Sequence, residues 1–448
     1  MVNPISIIER GLRKAESLGV SEAEVYVVKE SSVTVKGASK GVESVEGGEV
    51  VNAFVRVLIG KRLAVQGGMI SKPEDIDTIV ESAAKIAKIS PEDPQWVSLP
   101  KKLGSTPVYD ISDPKLEALE PEPIMELVKR ASELAPEIDR RAYVTRCGGV
   151  TSKYVKAVGN TYHSPQMFSG TMFEFVVEVK AVDGAYESGF YDFYYAPTMK
   201  EFSLEKLVTR AVRVAVDTLK ASRVPTGVYQ VLLTPKVFSA VLEALIAPAI
   251  RADNVQKKRS PLAGKLFTQV LSEQLTLIDD GAAPNMPGSA PFDDEGVATK
   301  RKVVFDRGVL RTFLYDTYTA SIESKESTGN ARRMGAANVF PAPTNIIVLP
   351  GTSSLDSIVR DIRRGIVVYG TIGEWLSNPV SGLLNATVTN GLLVENGEVK
   401  QAVKGVVIGG DIYKLLKDHV VALSKEVEAV GNHLVPAILI DSVSVAGE

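Results

Sequence analysis

Apolar positions along the first half of the chain follow two alternating rhythms. Ile5, Ile8, Leu12 and Ala15 recur at helical spacing and predict a helix over residues 5–18, with Gly19 as its stop. Strand-like runs follow at 23–28, 32–35, 50–59 and 63–66, and Gly37, Gly41, Gly47-Gly48 and Gly60-Lys61 read as the turns between them. A second helix is predicted over 72–89, opened by a Ser71-x-x-Glu74 capping box with Pro73 in its first turn. The same order then returns: a helix over 124–134, strands at 142–145, 153–157, 171–181 and 185–194, and a helix over 204–221 capped by Ser203. Asp183-Gly184 is a strong hairpin signal within that second copy.

After Gly227 the pattern changes. A strand over 228–233 leads into a helix over 237–250, whose Phe238, Val241, Leu242, Leu245 and Ile246 form a wide apolar face. Beyond Leu271 the chain becomes short β runs divided by glycine, at 274–278, 299–305, 309–315, 346–349, 365–370, 385–389, 391–395 and 403–408. Asp306-Arg307-Gly308 and Glu395-Asn396-Gly397 read as hairpin turns, 411–426 as a helix and 437–445 as closing strands. The fold class expected is α+β: a duplicated helix–antiparallel sheet–helix unit followed by a β-rich, barrel-like C-terminal domain. The divisions fall at 1–90 (first repeat), 91–123 (a proline- and charge-rich linker), 124–224 (second repeat) and 225–448 (β-rich domain).

Composition narrows the function. The 448 residues are 45% hydrophobic and 23% charged, enough for a large core and against general disorder. A net charge of −3 argues against nucleic-acid binding, and the densest basic run, Lys257-Lys258-Arg259, reads as a solvated loop. The longest apolar stretches, 244–250 and 434–440, fall short of the ~20 residues a membrane span needs. Residues 1–14 lack a secretory apolar core, so a soluble cytoplasmic protein is expected. The single cysteine, Cys147, excludes an intramolecular disulfide and fits a reducing compartment; it reads as the end of a strand entering a turn rather than as a nucleophile.

Metal chemistry is poorly provided for. The histidines are only three, His163, His419 and His433, none close in sequence to another or to Cys147. Asp279-Asp280 and Asp293-Asp294-Glu295 could hold Mg²⁺ or Ca²⁺, but a glycine follows each, and turn chemistry is the simpler reading. His433 has no carboxylate near it in sequence and reads as structural or exposed. Gly409-Gly410-Asp411 reads as a tight turn with Asp411 as helix N-cap rather than as an anion site. Thr328 to Arg333 joins Asn330 to the paired guanidiniums of Arg332 and Arg333, which could bind a carboxylate bidentately or belong to an interface or surface loop. Trp375, with Asn378 three residues on, could line an interface or pack in the core.

Several of these stretches together resemble one family. Ser90-Pro91-Glu92-Asp93-Pro94, Asp279-Asp280-Gly281, Phe292-Asp293-Asp294-Glu295-Gly296 and Thr328-Gly329-Asn330-Ala331-Arg332-Arg333 occur in order. Trp375-Leu376-Ser377-Asn378-Pro379-Val380-Ser381-Gly382 and Glu395-Asn396-Gly397 follow. Over nearly its whole length the chain resembles the TldD/PmbA family, historically called modulators of DNA gyrase. The resemblance implies a two-subunit metalloprotease, whose TldD-type subunit carries H-E-x-x-x-H on a helix and a C-terminal cysteine as a further ligand. Counted from Pro235, those two histidines fall here on Glu243 and Pro248, and the glutamate on Ala244. The stretch near the expected cysteine reads Val430-Gly431-Asn432-His433.

Ala244 cannot act as a general base, and Pro248 has no electron pair to offer a metal. The five-residue spacing places two side chains roughly 140° apart on a regular helix, so an active subunit must widen its helix, whereas 237–247 reads here as a plain amphipathic helix. The resemblance therefore implies a PmbA/TldE-type, non-catalytic subunit with no cofactor of its own. Its partner would be a TldD-type chain holding zinc or iron, and its substrate an unfolded peptide. Two rivals stay open: a homodimeric peptide-binding protein without proteolysis, and an autonomous metallohydrolase using Asp279, Asp280 and His433.

Overall fold

A computed structural model describes residues 3–335 and 338–448, and all counts of elements refer to those residues. Helix α1 (Pro4–Ser17) is capped by the Asn3 side chain, which accepts from the Ile5 N–H, and it buries Ile7, Ile8, Gly11 and Ala15. Strands β1 (Glu22–Ala38), β2 (Gly41–Ile59) and β3 (Arg62–Met69) form a meander, followed by α2 (Asp75–Ile89). After a short helix α3 (Pro114–Glu117), the same sequence repeats as α4 (Glu122–Ile138), β4 (Ala142–Asn160), β5 (His163–Asp183), β6 (Tyr186–Ala196) and α5 (Leu204–Asp217). The two meanders join in one six-stranded sheet, order β3-β2-β1-β4-β5-β6, with β1 and β4 antiparallel at its centre. One core lies under α1 and α2, the other under α4 and α5.

Several local expectations are corrected. The strands are much longer than predicted, because short polar stretches continue the pairing rather than interrupt it. Gly47-Gly48 is no turn: both lie inside β2, opposite Val33 and Ser32 of β1. Gly37 marks a break in the β1–β2 register, and the turn follows at Ser39-Lys40. Helix α2 begins at Asp75 without a capping box; the Asp75 carboxylate instead accepts the Ser71 and Lys72 N–H groups at 2.8 and 3.0 Å. Cys147 is neither at a strand end nor near a turn. It sits inside β4, 1% exposed, and burial pushes its thiol up to about 11. The Asp183-Gly184 hairpin and the Ser203 cap are present as expected.

The proline-rich stretch between α2 and α3 is packed in place. Trp96 and Leu99 are buried against Leu58, and the Trp96 ring stacks on Tyr318. Glu22 accepts from the Trp96 indole N–H at 3.3 Å and from the Leu99 N–H at 2.7 Å.

The C-terminal part is an eleven-stranded sheet that closes on itself. Strand β7 (Gly227–Leu233) pairs in parallel with Arg364–Ile372 and antiparallel with the last strand, His433–Ala446. Strands Leu383–Glu395 and Val407–Asp411 complete the ring between those two neighbours. Helix α6 (Pro235–Val241) follows β7 and shares the barrel's core, where Phe238, Val241, Leu245 and Ile246 are each 0% exposed. The expected helix over 411–426 is a correction as well. Asp411 does cap a helix, Ile412–Asp418, but the chain then turns into a strand, Val420–Val430. The Val420-Val421 pair and the alternation after it favour the pleated form. No helix is long and apolar enough to cross a membrane among the described residues.

Candidate functional site

The helix leaving β7 carries the positions in question. Pro235 stands at its first turn, where its fixed φ is pre-organised and its missing N–H is not needed. At Leu242 the helix changes character. Residues Leu242–Ile246 form a π-turn, and the Ala247 N–H donates to the Leu242 carbonyl, five residues back, at 2.8 Å. This corrects the expectation of a plain helix. Pro248 supplies the physical reason, since it has no N–H for residue 244, and its ring would crowd that carbonyl in a regular helix. The widened turn brings the five-residue spacing onto one side, and Glu243 and Pro248 line the same cavity of about 530 Å³.

In the same cavity stands His433, which has no carboxylate near it in sequence but meets one in space. It is 5% exposed, its Nδ1 lies 2.5 Å from Ser239 Oγ, and its Nε2 lies 3.4 Å from Glu243 Oε2. The hydrogen bond from His433 holds the Glu243 carboxyl below its ordinary value, with the fields of His433 and Arg332 acting in the same direction. A zinc hydrolase needs about three protein ligands and an open position for water. Here Glu243 and His433 give two donors, Pro248 and Ala244 give none, and no group of three His, Cys, Asp or Glu side chains comes together among the described residues. The donor set does not fit a catalytic metal.

The remaining candidates fall in three places. Asn330 is 1% exposed and donates its amide to Asp279 Oδ2 at 2.7 Å and to the Ala342 carbonyl at 2.9 Å. Asp279 also accepts from Thr344 N–H and Oγ1 and pairs with Lys302 at 2.8 Å. The first acidic pair is therefore more than a turn: Asp279 is a buried anchor whose oxygens are already engaged. In the second cluster, Asp293 does serve its own turn, accepting from Glu295 and Val297 N–H groups at 3.0 Å each. Asp294 and Glu295 reach further, into the six-stranded sheet. Asp294 accepts from the Tyr26 hydroxyl at 2.8 Å, and Glu295 from Arg56 at 2.7 Å.

Arg332 and Arg333 both line the cavity beside Glu243, although they differ in every other respect. Arg333 is buried beneath the sheet, ion-paired with Glu24 and lying 5.2 Å from the Tyr26 ring. Arg332 is exposed, and it also forms part of a second cavity of about 300 Å³ on the face of the sheet, with Glu30, Lys156, Glu174 and Tyr195. Sequence reasoning passed over Arg251, which pairs with Asp253 at 3.0 Å, stacks on Phe340 and lines the same cavity. Its place three residues beyond the degenerate Pro248 is a signal that could have found it.

Trp375 and Asn378 lie elsewhere. Trp375 is 70% exposed on a 3₁₀ turn, Glu374–Leu376, and borders a separate cavity of about 440 Å³ at the other end of the helix. Lys236 in that cavity lies over the rings of Phe190 and Tyr191, and burial pushes its amine down to about 8. The Asn378 side chain is used locally, accepting from the Val380 and Ser381 N–H groups at 3.0 and 3.2 Å.

Comparisons with known proteins bear on the whole chain. A family model described as the PmbA/TldA metallopeptidase C-terminal domain matches residues 226–447. A metalloprotease PmbA homolog of Haemophilus influenzae is 24% identical over 451 residues, covering 98% of this chain and 97% of that protein. An uncharacterized protein of Methanocaldococcus jannaschii is 32% identical over 238 residues, covering 53% of this chain and 55% of its own length. The chain thus matches about half the length of that relative. The crystal structure of TldE from Thermococcus kodakarensis superposes with a TM-score of 0.91 at 26% identity, covering 98% of this chain and 100% of that one.

Proposed function

Because the chain belongs to the TldD/PmbA family, we propose that it is the TldE-type, non-catalytic subunit of a two-subunit metalloprotease acting on small or unfolded peptides. One observation carries this reading. The helix keeps the π-turn that brings positions 243 and 248 to one side, yet those positions hold a glutamate and a proline, and the base position holds alanine. The widened helix is there without the full donor set and the general base that a catalytic metal needs. Pro248 provides an independent reason for the turn to persist after the ligands are gone.

In this proposal the partner is a TldD-type chain that supplies zinc or iron, the water it activates and the general base. This chain supplies a wall of the cleft. Its six-stranded sheet ends in β3 on one side and β6 on the other, and such edges suit strand addition by an extended peptide. Mild affinity purification of the tagged full-length chain, followed by mass spectrometry, tests the partnership. The expected result is a one-to-one complex with a homologous chain carrying H-E-x-x-x-H. A stable homodimer that ignores a co-expressed TldD-type chain would replace this reading with that of a stand-alone peptide-binding protein.

A further inference from the structure

The cavity around Glu243 contains an imbalance of hydrogen-bond donors. Three guanidiniums line it, and two are already neutralised: Arg251 by Asp253, and Arg333 by Glu24. Glu243, the carboxylate on the same wall, has its own partner in His433. Arg332 is left over, engaging neighbours among the described residues through its field at Glu243, Tyr26 and Tyr195. Arg333 adds a second deficit. Its side chain is only 3% exposed, and its Nη1 has no hydrogen-bond partner among the described residues. A buried charged donor without an acceptor is costly, and this one sits on a residue of the cavity wall. Pro248, Phe340, Pro343 and Ile346 give the lining an apolar part, beside the polar Thr344 and Asn432.

We propose that this cavity holds the C-terminal carboxylate of an extended peptide, gripped by the exposed guanidinium of Arg332, which makes no ion pair among the described residues. A planar carboxylate matches the guanidinium fork, which an ammonium group would not reproduce. The apolar lining accommodates an uncharged last side chain. Because Arg332 also belongs to the cavity on the sheet face, the preceding residues of the peptide have a polar trough to lie in. The pair Glu243–His433 lines the same pocket with its carboxylate already engaged. This inference rests on the reading of the chain as the wall of a peptide cleft and names the group that wall recognises.

The test is a binding comparison on the full chain with one unstructured octapeptide ending in leucine, made as the free acid and as the C-terminal amide. A third peptide is amidated and carries an internal glutamate. The free acid is expected to bind at least tenfold more tightly than either amide. Arg332→Gln is expected to abolish that preference with an unchanged melting temperature, since the residue is exposed, and Arg332→Lys to restore only part of it. Equal affinity for acid and amide, or a preference that survives Arg332→Gln, would overturn the proposal. Equal binding of the internal-glutamate peptide would overturn the assignment to a chain terminus. Neither failure touches the subunit reading, which stands or falls on recovery of the partner, and loss of the partner would leave the acid-to-amide ratio unchanged.

Discussion

Two clusters of arginine and carboxylate in this molecule use the same side chains to opposite ends. The first joins the six-stranded sheet to the C-terminal domain. Arg56, 2% exposed, donates Nε and Nη2 to Glu24 at 3.0 and 2.7 Å and Nη2 also to Glu295 at 2.7 Å, and both carboxylates are at most 1% exposed. The second lines the cavity at the π-turn, where Arg332 and Glu243 are exposed and one buried guanidinium nitrogen of Arg333 lacks an acceptor among the described residues. A closed network of this kind fixes how two parts of the chain sit together, whereas an incomplete one leaves bonds for something else to make. Burial and satisfaction separate structural charge from charge available to a ligand, and Arg333 belongs to both clusters.

The largest effect is expected where the network is closed. Arg56→Met leaves Glu24 and Glu295 buried with a guanidinium removed, and urea unfolding should show a loss of about 3–5 kcal/mol. A loss below about 1 kcal/mol would mean that the cluster contributes packing rather than pairing.

The same cluster predicts a pH dependence. Burial, with the field of Glu295 second, pushes Asp316 up to about 7, and Asp293 is raised well above the ordinary range for the same two reasons. A carboxyl whose folded value is raised binds more protons folded than unfolded between the two values. Its contribution is therefore present at low pH and lost as pH rises from about 4 to about 7. Asp316→Asn keeps a side-chain acceptor at the cap of helix Thr317–Ile322 and should flatten the dependence of stability on pH across that window. An unchanged slope in urea titrations at several pH values would contradict the assignment.

At the open cluster the effect should be small. Glu243 has a side chain 73% exposed, and Glu243→Gln is expected to change stability by no more than about 0.5 kcal/mol. The sign runs opposite to Asp316. A depressed carboxyl contributes above its unfolded value and loses that contribution as pH falls through its folded value, so any cost of Glu243→Gln should fade in acid. A cost of several kcal/mol would make Glu243 a structural residue like Glu24.

The contrast between the clusters also marks what the sequence could tell. Local chemistry was legible: Asn396 and Gly397 take the positive φ values of 51° and 78° that their hairpin turn requires, and Ser203 and Asp411 cap the helices they precede. The degenerate motif was legible too, because it compares residues on one helix. Contacts between distant segments were not. His433 meets Glu243 across 190 positions of chain, so its carboxylate partner could not be seen beside it in sequence. The π-turn was missed because apolar spacing over 237–247 fits a regular helix, and only Pro248 signals the altered hydrogen bonding. Nothing in sequence brings Asn330 to Asp279, 51 residues away, so its segment reads there as a carboxylate-binding cluster or as an interface or surface loop. Strand lengths were underestimated wherever glycine or a charge sat inside a paired stretch, as at Gly47-Gly48.

The most direct test is peptide hydrolysis by the purified full-length chain, alone and mixed with a TldD-type partner, in the presence of zinc or iron and with metal content measured in parallel. The account predicts no turnover and no stoichiometric metal in the chain alone, with turnover appearing only in the mixture. Chelator-sensitive hydrolysis by the chain alone, with about one metal ion bound per chain, would contradict it.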